Sequence, residues 1–294
     1  MIGSAMIPSE TAGSGRSASA AMTRRPTIGV FDSGVGGLTV LKALLELIPA
    51  ADYLYFGDTA RLPYGSKSVD TVARYATQAS QFLERGGAQL LVIACNTATA
   101  LALDKITKAC SVPVVGVIEP GAERASTATQ KRKVVVIGTE ATISSHAYHK
   151  ALQSRGVQAR EQACPLLVPL VEEGWIEHPV TEQVARIYLT EAFQNGFKSA
   201  DVLVLGCTHY PLLKPLLRRV TPAHVTIVDS AESTANVVGE LLRVSPVSNS
   251  TEDERRRLSR MRFFATDSVE KFRSLGMHFL GHAIEDVRHV NLEE

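Results

Sequence analysis

The feature that most constrains this chain is a doubled order of short apolar, β-branched runs. TIGVF (27–31), DYLYFGD (52–58), QLLVIAC (89–95) and VPVVGVIEP (112–120) come first. KVVVIG (133–138), VQAREQA (157–163), DVLVLGC (201–207) and HVTIVDS (224–230) follow in the same order. Positions 28, 53, 90 and 113 return at 134, 157, 202 and 225, offsets of 106, 104, 112 and 112 residues. Short, nearly continuous apolar runs read as strands covered on both faces, which is how a parallel sheet reads. Helical patterns separate them. LTVLKALLELI (38–48) puts Leu38, Leu41, Leu45 and Ile48 on one face, and SVDTVARYATQASQFLERGG (68–87) takes Asp70 as its cap and stops on glycines. The expected fold is therefore α/β, with two pseudo-symmetric doubly wound domains, mostly parallel sheets and the active site in the cleft between them.

The ends of the chain stand outside the repeat. Residues 1–25, rich in Ser, Ala, Gly and Thr, lack the continuous apolar core of a secretory signal and read as a disordered N-terminal arm, with Met22 a candidate native start. AESTANVVGELLRV (231–244) reads as a helix and PVSNSTEDERRR (246–257) as a solvated polar loop. RFFATD (262–267), HFLG (278–281) and DVRHV (286–290) read as edge strands closing one half. The expected division is a discontinuous first α/β domain of 26–120 plus 232–294, and a second of 121–231.

Composition removes several classes of function. Lys and Arg number 31 against 30 Asp and Glu, a net charge of +1, so no nucleic-acid footprint is expected. No apolar run reaches the roughly 18 residues of a membrane span. Four cysteines without a C-x-x-C spacing make neither a disulfide framework nor a zinc ribbon, and unpaired thiols without an export signal point to the cytoplasm.

The third run of each half ends in a small polar cluster around a cysteine, ACNTATA with Cys95 and GCTHYPL with Cys207. Ligands bind at the carboxyl ends of parallel strands, so two halves that face each other would aim both thiols into one cleft from opposite sides. Cys110 and Cys164 read as small buried hydrophobes. Other chemistries fit less well. DSGVGGL (32–38) has Gly34 and Gly36 of a dinucleotide fingerprint, but Thr39 stands at the third glycine's place. An aspartyl-phosphate site on Asp32 would want a second acid where Gly34 stands, and a cysteine phosphatase an arginine where Leu101 stands. Cys207 and His209 offer two metal ligands without an apparent third, so no metal is expected. Two thiols across one cleft suit inversion of a stereocentre that bears hydrogen. One removes the proton from one face and the other returns a proton to the opposite face, since a thiol of pKa about 8.5 can do either.

GVFDSGVGGL, YFGDTARLPYGSK, VIACNTATA, VIEPG, GTEATISSHAY, CPLLVPLVEEG and LGCTHYPLL, in that order, resemble the successive motifs of cofactor-independent glutamate racemases of the aspartate/glutamate racemase superfamily. The resemblance runs from about Thr27 to HFLGHAIEDVRHV. It implies Cys95 as the base for D-glutamate and Cys207 as the base for L-glutamate. Asp32 would assist near Cys95, and His209 and Glu172 near Cys207. Substrate would be held by Asp32, Ser33, Tyr64, Gly65, Asn96, Thr97, Thr142, Thr208 and His209, largely neutral donors able to bind two carboxylates and an ammonium without a buried arginine. It further implies no cofactor, a homodimer, a supply of D-glutamate for peptidoglycan, and activation by a muramyl peptide precursor in some members. The rival readings are an aspartate racemase of the same superfamily and a racemase-fold partner of DNA gyrase.

Overall fold

The computed structural model describes residues 25–243 and 259–292. The expectations for the arm before residue 25 and for the polar stretch 246–257 fall outside the described residues. Among the described residues ten strands form two sheets. The first sheet holds β1 (Thr27–Asp32), β2 (Asp52–Gly57), β3 (Leu90–Ile93), β4 (Val114–Gly116), β9 (Met261–Ala265) and β10 (Val287–His289). The second holds β5 (Lys133–Gly138), β6 (Gln158–Ala163), β7 (Val202–Gly206) and β8 (Thr226–Asp229). Every pairing among them is parallel.

The doubled order of the sequence is a doubled topology. Across the first sheet the order is β10-β9-β2-β1-β3-β4, and across the second β6-β5-β7-β8. The register repeats too: Thr27 opposite Asp52 returns as Lys133 opposite Gln158, and Ile28 opposite Leu90 as Val134 opposite Val202. Between β4 and β9 the chain builds the whole second sheet and then returns to the first.

Burial explains the composition of each strand. Central β3 and β7 are buried at every residue, so LLVI and VLVLG are apolar throughout. Edge strand β6, QAREQA, is only partly covered and carries polar side chains. Helix Leu38–Leu47 buries Leu38, Leu41, Leu44 and Leu45, each contributing roughly 1.5–3 kcal/mol. That helix packs on helix Ser230–Leu241, and one apolar cluster runs unbroken from Ile28 and Val92 to Val135 and Leu203. The two sheets are therefore held against each other by a shared core.

Three local expectations are corrected. Helix Val69–Arg85 is capped by Ser68, which accepts from the Thr71 N–H at 3.4 Å; Asp70 already lies inside the first turn and pairs with Lys105 at 2.9 Å. The run 112–120 is strand only over β4; Val117 turns the chain into helix Ile118–Ala128, whose first turn accommodates Pro120 because its N–H groups need no helical acceptor. HFLG is no strand but the end of helix Val269–Leu280, stopped by Gly281 at φ +88°. Phe272, Phe279 and Leu280 point inward there with helical spacing. Among the described residues no helix is long and apolar enough to cross a membrane.

Candidate active site

Where the carboxyl ends of β1 and β3 face those of β5 and β7, the protein forms a cleft of about 370 Å³, within the range of small-molecule sites. Cys95 and Ser33 come to it from the first sheet, and Cys207 and Thr139 from the second. Among the described residues no lysine or arginine lines it.

Cys95 is the N-cap of helix Asn96–Ala109 and accepts from the Ala98 N–H at 3.4 Å. Its sulfur lies 3.5 Å from Ser33 Oγ. Burial pushes the Cys95 thiol up to about 12, Asp32's negative charge adds to this, and the Ser33 and Ala98 hydrogen bonds oppose it. Asp32, at the end of β1, is fully buried behind this wall and accepts from the Gly34 N–H at 2.9 Å. Burial raises Asp32 above the ordinary carboxylate range; His209, the Gly34 and Gly37 N–H groups and the Thr208 hydroxyl pull it back. The carboxylate on the Cys95 side thus also feels the imidazole on the Cys207 side.

That closeness depends on Gly36. A Cβ there would stand 2.3 Å from Thr208 Oγ1 and 2.6 Å from His209 Nδ1. Thr39 fixes the same turn from behind, donating to the carbonyls of Gly36 at 2.9 Å and Thr208 at 3.2 Å.

On the other wall, His209 Nδ1 lies 3.9 Å from Cys207 Sγ, and its Nε2 lies 3.2 Å from Glu172 Oε1. Lys271, from the C-terminal helix, stands 3.9 Å from Glu172 Oε2, and Phe279 sets its ring edge-on to the imidazole at 5.2 Å. The His209 hydrogen bond lowers the Glu172 carboxyl against the opposing effect of burial. For His209 burial acts downward, but its bonds to Cys207 and Glu172 prevail and hold it up at about 10. Both bonds favour the imidazolium over the neutral ring.

The raised His209 value has a consequence for stability. A group raised on folding stabilises fully below its unfolded value, about 6.5 for histidine, and loses that contribution as pH climbs through about 10. The slope cannot exceed about 1.4 kcal/mol per pH unit. Cys95 acts in the same sense only above about 8.5, so pH 6.5–8.5 isolates His209. Over that range the melting temperature of the wild type should fall, and that of His209→Asn should stay level. Parallel curves would contradict the assignment.

The structure sorts the remaining residues of the sequence reading. Ser33, Gly65, Asn96, Thr97, Thr208, His209 and Glu172 line the cavity. Tyr64 lines it too, but its hydroxyl donates to Asp58 at 2.6 Å, so it offers a ligand its ring and backbone rather than its proton. Thr142 is buried one layer back, 3.1 Å from Thr97 Oγ1 and 2.9 Å from Thr139 Oγ1. Thr139, absent from the sequence reading, takes the place at the wall. A signal for it existed: carried forward by the 106-residue offset of its strand, Ser33 lands on Thr139. The apolar side formed by Leu62, Pro165, Val168 and Pro169 was also not foreseen.

Two like α/β halves that each lend a thiol to one shared cavity define the class of the α/β amino-acid racemases. The chain belongs to the Asp/Glu/hydantoin racemase family, whose model matches residues 28–238; it is an isomerase. It is 58% identical over 286 residues to a glutamate racemase of Koribacter versatilis (strain Ellin345), covering 92% of this chain and 98% of that protein. Among solved structures, the glutamate racemase of Francisella tularensis in complex with D-glutamate superposes with a TM-score of 0.80 at 36% identity, covering 92% of this chain and 98% of the other. The Escherichia coli glutamate racemase in complex with L-glutamate and the activator UDP-MurNAc-ala gives 0.76 at 27% identity, with 92% and 100% covered.

Proposed function

We propose that this chain interconverts L- and D-glutamate by moving protons between Cα and two thiols, without an organic cofactor. The observation that carries the reading is the placement of Cys95 and Cys207 at equivalent strand ends of the two halves, both on the wall of one cavity. The names of the relatives supply the substrate. In the L-to-D direction the Cα–H bond breaks toward the Cys207 sulfur, leaving its electron pair at Cα. The Cys95 S–H then delivers its proton to the opposite face. A Cys95 held as a thiol and a His209 held as an imidazolium suit that direction. Asp32 serves proton transfer on the Cys95 side, and His209 with Glu172 on the other.

Neutral donors and N–H groups at a helix start hold the carboxylates. Ser33, Asn96, Thr97 and Thr208 do so with the backbone around Tyr64 and Gly65, while Thr142 supports Thr97 from behind. Carbanionic character at Cα is stabilised by these preorganised donors, with water displaced as the substrate fills the site. In this reading residues 26–120 with 232–294 and residues 121–231 are the two domains. The D-glutamate supplies peptidoglycan assembly in the cytoplasm.

Incubating the protein in deuterated water with either enantiomer should yield the other, with deuterium at Cα. A double Cys95→Ala and Cys207→Ala variant that still racemises would sink the mechanism, and faster turnover of aspartate in direct competition would sink the substrate. The Escherichia coli complex motivates one further arm. UDP-MurNAc-ala should raise turnover, and unchanged rates would remove precursor activation from the reading.

A further inference from the structure

Tyr148 closes the stretch GTEATISSHAY, whose Thr139 lines the site and whose Thr142 backs it. Its side chain is completely buried and does not line the cavity. It stands on helix Ala147–Gln153, packed beside the second sheet, yet its hydroxyl donates to Asn96 Oδ1 at 2.8 Å on the first turn of the helix that follows β3. The bond therefore joins the two halves immediately beside Cys95.

Asn96 is 2% exposed and lines the cavity. With Oδ1 taken by the phenol, its Nδ2 has no partner among the described residues. A buried donor left bare is costly, and native interiors keep one where a ligand completes it. Behind the phenol, burial pushes the Tyr148 hydroxyl's pKa up, and the Ser230 side chain opposes that rise. Donation from Tyr148 to the Asn96 oxygen leaves the amide NH₂ as the free end of a side chain that lines the cavity. The surroundings leave the phenol little freedom. A Cβ on Gly206, next to Cys207, would stand 3.1 Å from the Tyr148 ring, and one on Gly121 would stand 3.2 Å from its oxygen.

We infer that Tyr148 is a positioning residue that locks the Asn96 amide with its NH₂ toward the cavity, where it receives a carboxylate of the substrate. The lock stands on geometry alone; only the identity of that substrate rests on the glutamate reading. An amide free to rotate would present oxygen as readily as NH₂, and oxygen repels a carboxylate. The effect therefore belongs to ground-state holding, which reads out in KM rather than in the proton transfers.

The test uses the full chain and Tyr148→Phe, which keeps the ring and its packing. KM for both glutamate enantiomers should rise about 10-fold, the size of one charge-assisted hydrogen bond, with kcat changed less than about 3-fold. Asn96→Ala should raise KM similarly, and the double variant should raise it no further, because members of one chain of contacts are not additive. Losses that multiply would overturn the inference and leave Tyr148 as packing. A second readout needs no turnover. In the ligand-free protein the side-chain amide signals of Asn96, identified by their loss in Asn96→Ala, should be well separated in the wild type and move together in Tyr148→Phe. Gly121→Ala, whose new Cβ would crowd the phenol oxygen at 3.2 Å, should move them the same way with the tyrosine in place, so a poorly folding phenylalanine variant leaves the question answerable. Signals unchanged in both variants would overturn the lock. A wild type that shows these shifts but leaves glutamate untouched would overturn the substrate reading and keep the lock.

Discussion

Cys95→Ser and Cys207→Ser are each expected to lower racemisation by roughly 10²–10⁴-fold, the worth of a positioned acid–base group, and to leave opposite marks on the two enantiomers. Enantiomers in water have equal free energy, so kcat/KM must fall equally in both directions in either variant. The asymmetry lies in isotope effects. With the base for D-glutamate weakened at Cys95, removal of the label from α-deuterated D-glutamate becomes the slow step and its isotope effect grows. α-Deuterated L-glutamate loses its label at intact Cys207 before the slow step, so its isotope effect shrinks. Cys207→Ser should reverse the pattern. The same change for both substrates in both variants would refute the assignment of one thiol to each face.

The prediction could be framed before any fold was seen because the repeat is legible in the chain. The strand offsets brought Cys95 and Cys207 to equivalent positions, and the sheets preserve that equivalence down to register. The same logic extends to Thr139, which a reading centred on cysteines passed over. What the sequence hides is whatever reaches the site from far along the chain. Lys271 and Phe279 meet Glu172 and His209 only because the chain returns to the first sheet after completing the second. Tyr148 and Asn96 are 52 residues apart and lie in different halves. Nor does a residue type reveal which of its atoms is free. Tyr64 reads as a donor until Asp58 is seen to hold its proton. Asp70 reads as a cap until Ser68, two residues earlier, is seen at the helix start.

Asp32→Asn should move two measurements in opposite directions. Asparagine keeps an oxygen for the Gly34 N–H, so the glycine turn retains its bond. The lost charge is one of the causes that hold Cys95 near 12. Without it, iodoacetamide should label Cys95 at pH 9 about 10-fold faster, as befits one unit of pKa, measured by peptide mass spectrometry. Racemisation should nevertheless fall by at least about 100-fold, because a carboxylate placed to exchange protons beside the thiol is gone. The size of that fall separates two roles. If Asp32 only tuned the basicity of Cys95, a Brønsted slope of about 0.5 would turn one pKa unit into only about a 3-fold change. Faster labelling with a 3-fold loss would make Asp32 an electrostatic neighbour, whereas faster labelling with a 100-fold loss makes it a proton carrier. A carrier also accounts for its position, since the group that must restore the proton inventory between turnovers has to sense both walls, and Asp32 is coupled to Cys95 on one side and to His209 and Thr208 on the other.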